Sequence, residues 1–217
     1  MSIAIDISAA GSISSYADLV SEIRDMVDDA NYSQGAIDSA IRKAEAHFNR
    51  TLRTPDMENV ATLNVTAEYI ALPADFLEMR AIRNVNGCFD LDSVSPAALF
   101  MRYRGAAGCP TAFAIEGQRL RFGPVGNATL DMLYYATIPQ LTDAVPINWL
   151  LIKHPDAYLA TALYHIARRE RDSDGQQQAG TEMQTILDAI TTSANSARWG
   201  AGPLTPQGIS QVFGVRV

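Results

Sequence analysis

The sequence predicts an α+β protein. Its frame is an antiparallel helical bundle of two N-terminal and two C-terminal long helices, with a small, mostly antiparallel β unit inserted between them and extended terminal arms. Three observations lead there. Apolar residues recur at helical spacing over 16–52 and again over 158–197. Over 57–142 the period shortens to two, with β-branched residues between glycine- and asparagine-containing turns. Residues 1–12 show no helical period, and 201–217 carry Gly202, Pro203, Pro206 and Gly208, which forbid a helix. The expected divisions are an arm at 1–12, a helical hairpin at 13–54, a β-rich insert at 55–145, C-terminal helices completing the bundle at 146–200, and an arm at 201–217.

Along the chain, Ser14 or Ser15 is placed to cap the first helix, with Asp18 in its first turn. Tyr16, Leu19, Val20, Ile23, Met26 and Val27 form its stripe, and Asp25, Asp28 and Asp29 crowd its C-terminal end, as a solvated acidic patch or as a face that repels DNA or meets a basic partner. Ser33 starts a second helix running to about residue 53. Its apolar face is Ile37, Ala40, Ile41, Ala44, Phe48 and Leu52, and Arg42, Lys43, Glu45 and Arg50 fall on the polar side. Residues 60–65 and 68–72 read as a hairpin. Asn86-Gly87 marks a second hairpin, between 79–85 and Cys88-Phe89. Ser95-Pro96 opens a short helix through Tyr103. Further strands are expected at 111–115, 119–122 and 128–138. Tyr134 and Tyr135 should point to opposite sides of the last one, one packed inside and one capping the surface.

The pillar of the bundle lies at 148–171. An apolar knot, Trp149 to Ile152, precedes His154-Pro155-Asp156. Pro155 suits the first helical position, and Asp156 complements the positive helix start. Tyr158, Leu159, Ala162, Leu163, Ile166 and Ala167 then fill one arc. After a charged turn at 168–174, a last helix carries Ala179, Met183, Ile186, Leu187, Ile190, Ala194 and Ala197.

Composition narrows the function. With 47% hydrophobic and 19% charged residues over 217, this is the make-up of an ordinary folded protein. A net charge of -7 argues against a surface built to grip nucleic acid. No apolar run approaches the roughly 20 residues of a membrane span, and the first residues lack a signal-peptide pattern. Cys88 and Cys109 match no metal spacing and read as free thiols. Gly117, Gly123 and Gly126 sit at turns and match no phosphate loop. His47 reads as a partly buried, hydrogen-bonded side chain and His154 as part of the helix start. His165, two turns from Tyr158, reads as an aromatic packing contact. No nucleophile–base–orienter set is visible, so no catalytic residue, metal ligand or cofactor site is expected. Arg119 and Arg121 share one strand face, solvated or in an inter-subunit salt bridge.

The C-terminal arm is more apolar than a solvated tail. Ile209, Val212, Phe213, Val215 and Val217 are the expected partner-binding residues. They suit addition to another chain's sheet edge or filling of grooves on it, or folding back on the chain's own β unit.

In order, the chain carries AEAHFNRTLR, YIALPADFLEMRAI, SPAALFMRYR, AFAIEGQRLRFGP, LDMLYYATIPQLTD and NWLLIKHPDAYLATALYHIA. Over about residues 14–200 this resembles the head-to-tail adaptor (connector) family of tailed bacteriophages and prophages. The resemblance implies a structural virion protein at the head–tail interface, made in the host cytoplasm. It implies a homo-oligomeric ring, commonly a dodecamer, below the portal protein, which extends the DNA channel and presents a docking platform for a tail or nozzle protein. Portal would be bound through the arm, DNA would be passing cargo, and no membrane would be involved. Another phage assembly protein or a ligand-binding protein, a small enzyme with a pocket between helices and β unit, and a nucleic-acid regulator are the other readings.

Overall fold

The computed structural model describes residues 13–27, 29, 31–87 and 89–199. Two helical runs flank the β region: α1 (Tyr16–Val27) and α2 (Gln34–Thr51) before it, α4 (Trp149–Lys153), α5 (Pro155–Glu170) and α6 (Ser173–Trp199) after it. Local chemistry sets their starts. Ser14 Oγ donates to Asp18 Oδ2 at 2.8 Å while the Asp18 N–H reaches Ser15 Oγ at 3.2 Å, a reciprocal cap for α1. Asn148 Oδ1 accepts the Leu151 N–H at 2.8 Å and starts α4. Pro155 opens α5, and Arg171, in the left-handed conformation, closes it.

These helices share one apolar core. Leu19, Ile23, Ile37, Ile41, Phe48, Leu150, Leu151, Tyr158 and Ile166 are buried in it together. Tyr158 meets Phe48 edge-on, with ring centroids 5.1 Å apart. His165 instead contacts Tyr164, at 5.2 Å. The aromatic partner of each is thus different from the His165–Tyr158 pairing expected from helical spacing.

The β region is where the sequence-based expectation fails most. It is not a small insert. One sheet has the order β1 (Glu58–Val65), β8 (Ala128–Ala136), β3 (Phe76–Asn84), β4 (Phe89–Asp90). A second has the order β2 (Tyr69–Ala71), β7 (Arg119–Gly123), β6 (Ala112–Glu116), β5 (Asp92–Ser93). Val65, Ile82, Leu130, Met132 and Tyr134 of the first sheet and Phe113, Leu120 and Phe122 of the second form their own core. The fold remains α+β, but the helical bundle with a small inserted β unit is corrected to a helical layer and two four-stranded sheets, each layer boundary with its own core.

Two local expectations fall with it. Residues 60–65 and 68–72 do not make a hairpin, because β1 pairs with β8 over eight residues and β2 pairs with β7. The chain changes sheet between them. Tyr134 and Tyr135 do point to opposite sides of β8, yet both are buried, the first between the sheets and the second in the helical core. The hairpin at Asn86-Gly87 holds: Arg83 pairs with Asp90 and Asn84 with Phe89.

Candidate functional site

The outer face of the second sheet carries the most distinctive surface. α3 (Pro96–Tyr103) lies on it, capped by Ser95 Oγ, which accepts the Ala98 N–H at 3.2 Å. The helix has only two turns to bury. Leu99 packs over Ala112 and Ala114, with Tyr103 beside it. Tyr103 comes so close to β7 that a Cβ on Gly123 would stand 2.8 Å from its ring, so glycine is required by contact there. With 99 and 103 inward, 100 and 101 turn outward: Phe100 is 45% and Met101 82% exposed.

Around Phe100, β7 and the end of α3 add arginines. Arg121 lies 5.4 Å from the Phe100 ring and 5.5 Å from Tyr69, Arg119 lies 4.6 Å from Tyr69, and Arg104 is 5.5 Å from Phe100. Arg121 is fixed from two sides, by Glu68 at 2.7 Å and Glu116 at 3.3 Å. Desolvation, the largest single effect, lowers its guanidinium pKa, but the hydrogen bonds to Glu68 and Glu116 together outweigh it and raise the pKa above its ordinary value. A cleft of about 420 Å³ runs beside it, between Phe100, Tyr103, Arg104 and Phe122. Arg119 and Arg121 therefore share a face as the alternation predicts, and that face stacks on aromatic rings. The sequence reading overlooked Tyr69, Phe100 and Met101. Its available signal was the 100° offset of 100 and 101 from the Leu99–Tyr103 stripe.

A second exposed apolar set lies where the chain leaves the β region and enters α4. Val145, Ile147 and Ile152 precede or belong to α4, and Ile152 is 62% exposed. Of the expected knot, Leu150 and Leu151 are buried, and Ile152 faces outward.

The expected arm residues Ile209, Val212, Phe213, Val215 and Val217 lie outside the described residues, as does Cys88. Cys109 is exposed, and Asn84 Nδ2 donates to its Sγ at 3.0 Å. His47 and His165 are half-buried near one another and near Lys43, Arg50 and Arg168. Burial first, and then those cations, push His165 down to about 4, while burial and Arg50 lower His47. Burial thus favours the uncharged form of both rings. Among the described residues no three His, Cys, Asp or Glu side chains are grouped to hold a metal ion, and no helix is long and apolar enough to cross a membrane.

One buried carboxylate escaped the sequence reading. Glu45, assigned to the polar side of α2, is buried. It accepts the Leu141 N–H at 2.7 Å, and desolvation pushes its pKa up to about 7. It sits under the 138–141 segment and ties that loop to the helices.

Phe, Met, Tyr and Arg are enriched in protein–protein contact surfaces, and here exposed Phe100 and Met101 adjoin half-buried Tyr69 and the arginines, the make-up of a contact surface. The SU10 adaptor protein family model matches residues 14–207, and the chain belongs to that family, a phage head-tail adaptor family of structural proteins. Comparison with curated proteins finds no match.

Proposed function

We propose that this chain is the head-to-tail adaptor of a tailed phage virion, assembling as a ring, a dodecamer when complete, below the portal protein. The ring extends the DNA channel and offers a docking platform to a tail or nozzle protein. The observation that carries this reading is the family match over residues 14–207, and the exposed Phe100–Met101 pair within the arginine–aromatic face supplies a contact surface for it. A cyclic ring needs two different surfaces per subunit that complement each other. The α3 face is one, and the apolar set at Val145, Ile147 and Ile152 is the other.

Charge supports the same reading. A subunit of net charge -7 leaves DNA free to slide, because each Lys or Arg contact to phosphate adds to retention. The arm residues Ile209, Val212, Phe213, Val215 and Val217 anchor the ring to portal. Each fully buried large apolar side chain contributes about 1.5–3 kcal/mol, so a few such anchors offset the ordering of the arm.

Electron microscopy of the protein mixed with its own portal tests the proposal. The expected image is a ring of adaptor density on the portal's tail-facing end. Portal particles unchanged by a saturating excess of the protein would overturn it. Removing residues 201–217 tests the arm separately: undiminished portal binding would take the arm out of the account.

A further inference from the structure

Strand β1 presents the longest unpaired edge among the described residues. The other edge strands are β4 and β5, of two residues each, and β2, of three. β1 has eight, and β8 covers one side only. Its sequence, ENVATLNV, has no proline, lysine or arginine, the residues with which proteins commonly blunt such an edge.

The orientation of the edge follows from two contacts. The Glu58 N–H goes to the Pro55 carbonyl, and the Val60 N–H is taken by the strand's own Asn59 Oδ1 at 2.9 Å. These amides point away from β8, so the period of two turns the Thr62 and Asn64 amides the same way. The side chains of 62 and 64 do not shield them. Thr62 Oγ1 donates to Asp131 Oδ1 at 2.7 Å, and Asn64 Oδ1 accepts from Thr129 Oγ1 at 3.4 Å, both across to β8. Val60 is 59% exposed on this strand.

The last turn of α6 stands beside the start of this edge. Arg198 Nη2 donates to the Arg53 carbonyl at 2.7 Å and lies 3.5 Å from Glu58 Oε1, the first residue of β1. From there the sequence continues as GAGPLTPQG over 200–208 and ISQVFGVRV over 209–217. The second piece places Ile209, Gln211, Phe213, Val215 and Val217 on one side of an extended chain, with no acidic residue. Nine linker residues reach at most about 30 Å, and an eight-residue strand is about 26 Å long. Any register on β1 is therefore within reach. A short tether holds its end at an effective concentration on the order of millimolar, well above that of a second copy in dilute solution.

We propose that the free edge of β1 is the docking site for this chain's own residues 209–217, which add to the first sheet as a fifth strand before the protein meets a partner. Main-chain bonds to Thr62 and Asn64 supply the pairing, and Val60 supplies the apolar neighbour. The inference goes beyond the adaptor reading and stands without it. Where both hold, engaging portal requires the arm to leave β1.

Amide hydrogen exchange tests this without any portal, on the full chain and on a chain ended at Gly208. In the full chain the Thr62 and Asn64 amides should exchange on the order of 100-fold more slowly than in the shortened one, with β8 amides alike in both. Equal exchange at 62 and 64 would overturn the proposal. So would protection that disappears on dilution, which would assign the edge to a second copy. Val212→Pro with Val215→Pro in the full chain removes a ladder donor whichever alternate set of amides faces β1, at unchanged length, and should release the same two amides. If the shortened chain loses β8 protection as well, this variant decides, and protection at 62 and 64 surviving in it refutes the docking.

Discussion

Arg198, in the last turn of α6, donates from Nη2 to the backbone carbonyl of Arg53 at 2.7 Å, closing a span of 145 residues. The same guanidinium bonds the Tyr135 hydroxyl and stands 5.3 Å from that ring, with Arg53 and Arg80 at 5.8 and 5.4 Å. Tyr135 is the point where the first sheet enters the helical core, so Arg198 fastens the helical layer to the sheet. Its side chain is only 20% exposed. Hydrogen bonds from a charged donor contribute about 1.5–3 kcal/mol. Arg198→Ala should therefore lower stability by about 2 kcal/mol, or Tm by about 4–8 °C for a chain of this size. Arg198→Lys should recover less than half, because one ammonium cannot replace the fork. Thermal unfolding followed by circular dichroism measures both.

Glu45 makes stability depend on pH in a direction unusual for a carboxylate. Its folded pKa of about 7 lies above the ordinary 4.5. Between those values the native state keeps a proton that the unfolded chain has released, so stability falls as pH rises through this window. At pH 8 the full penalty, on the order of 2–3 kcal/mol, applies. Glu45→Gln keeps an acceptor for the Leu141 N–H and removes the charge. The variant should match the parent at pH 4.5 and exceed it by about 2–3 kcal/mol at pH 8. His165 has the opposite slope in both proteins and cancels from the difference. Urea unfolding at the two pH values checks it, and a gap that does not change with pH would contradict the assignment.

Helices were readable from the sequence because their signals are local: the Ser14–Asp18 cap, the stripe on α2, and Pro155 opening α5 all lie within a few residues of what they determine. Sheet membership was not. Residues 60–65 and 68–72 have the spacing of a hairpin, but the partner of Val60 is Leu133 and that of Ile70 is Leu120. Alternation places Tyr134 and Tyr135 on opposite faces, but it carries no information on whether a second layer covers each face. The same gap explains Glu45, polar by type and by helical position, which the 138–141 loop then buries. At the α3 surface, the order Leu99, Phe100, Met101, Tyr103 held the offset that exposes 100 and 101. Recognising Tyr69 as their neighbour required the β2–β7 pairing, 50 residues apart in sequence.

Asn148 joins three elements at one buried point. Oδ1 accepts the Leu151 N–H at 2.8 Å, and Nδ2 donates to the Pro139 carbonyl at 2.8 Å and to the Tyr158 hydroxyl at 2.7 Å. Asn148→Ala leaves a helix start, the buried Tyr158 hydroxyl and the Pro139 carbonyl without this partner, and should cost about 2–3 kcal/mol. Tyr158→Phe removes one acceptor and should cost about 1 kcal/mol. Because the two share a bond, the double variant should cost less than the sum of the singles, and a double-mutant cycle in urea measures the difference. Strict additivity would show the bond to be energetically silent.

The last test concerns the α3 surface. Phe100 and Met101 are exposed, and Leu99, with Tyr103 packed beside it, carries the inward side of that helix. Replacing outward side chains removes little packing, so Phe100→Asp with Met101→Asp should change Tm by no more than about 2 °C. Assembly should respond differently. Two carboxylates placed in an apolar contact would be desolvated there, and central aromatic anchors typically account for 2 kcal/mol or more of an interface. The expected loss is about 30-fold or greater in the affinity of ring assembly on portal. Arg119→Ala, at the edge of the same face, should give a smaller, salt-sensitive loss. Sedimentation of portal–adaptor mixtures at two salt concentrations reads both effects. A double variant that unfolds at the parental Tm and still assembles at parental affinity would remove this face from the subunit interface.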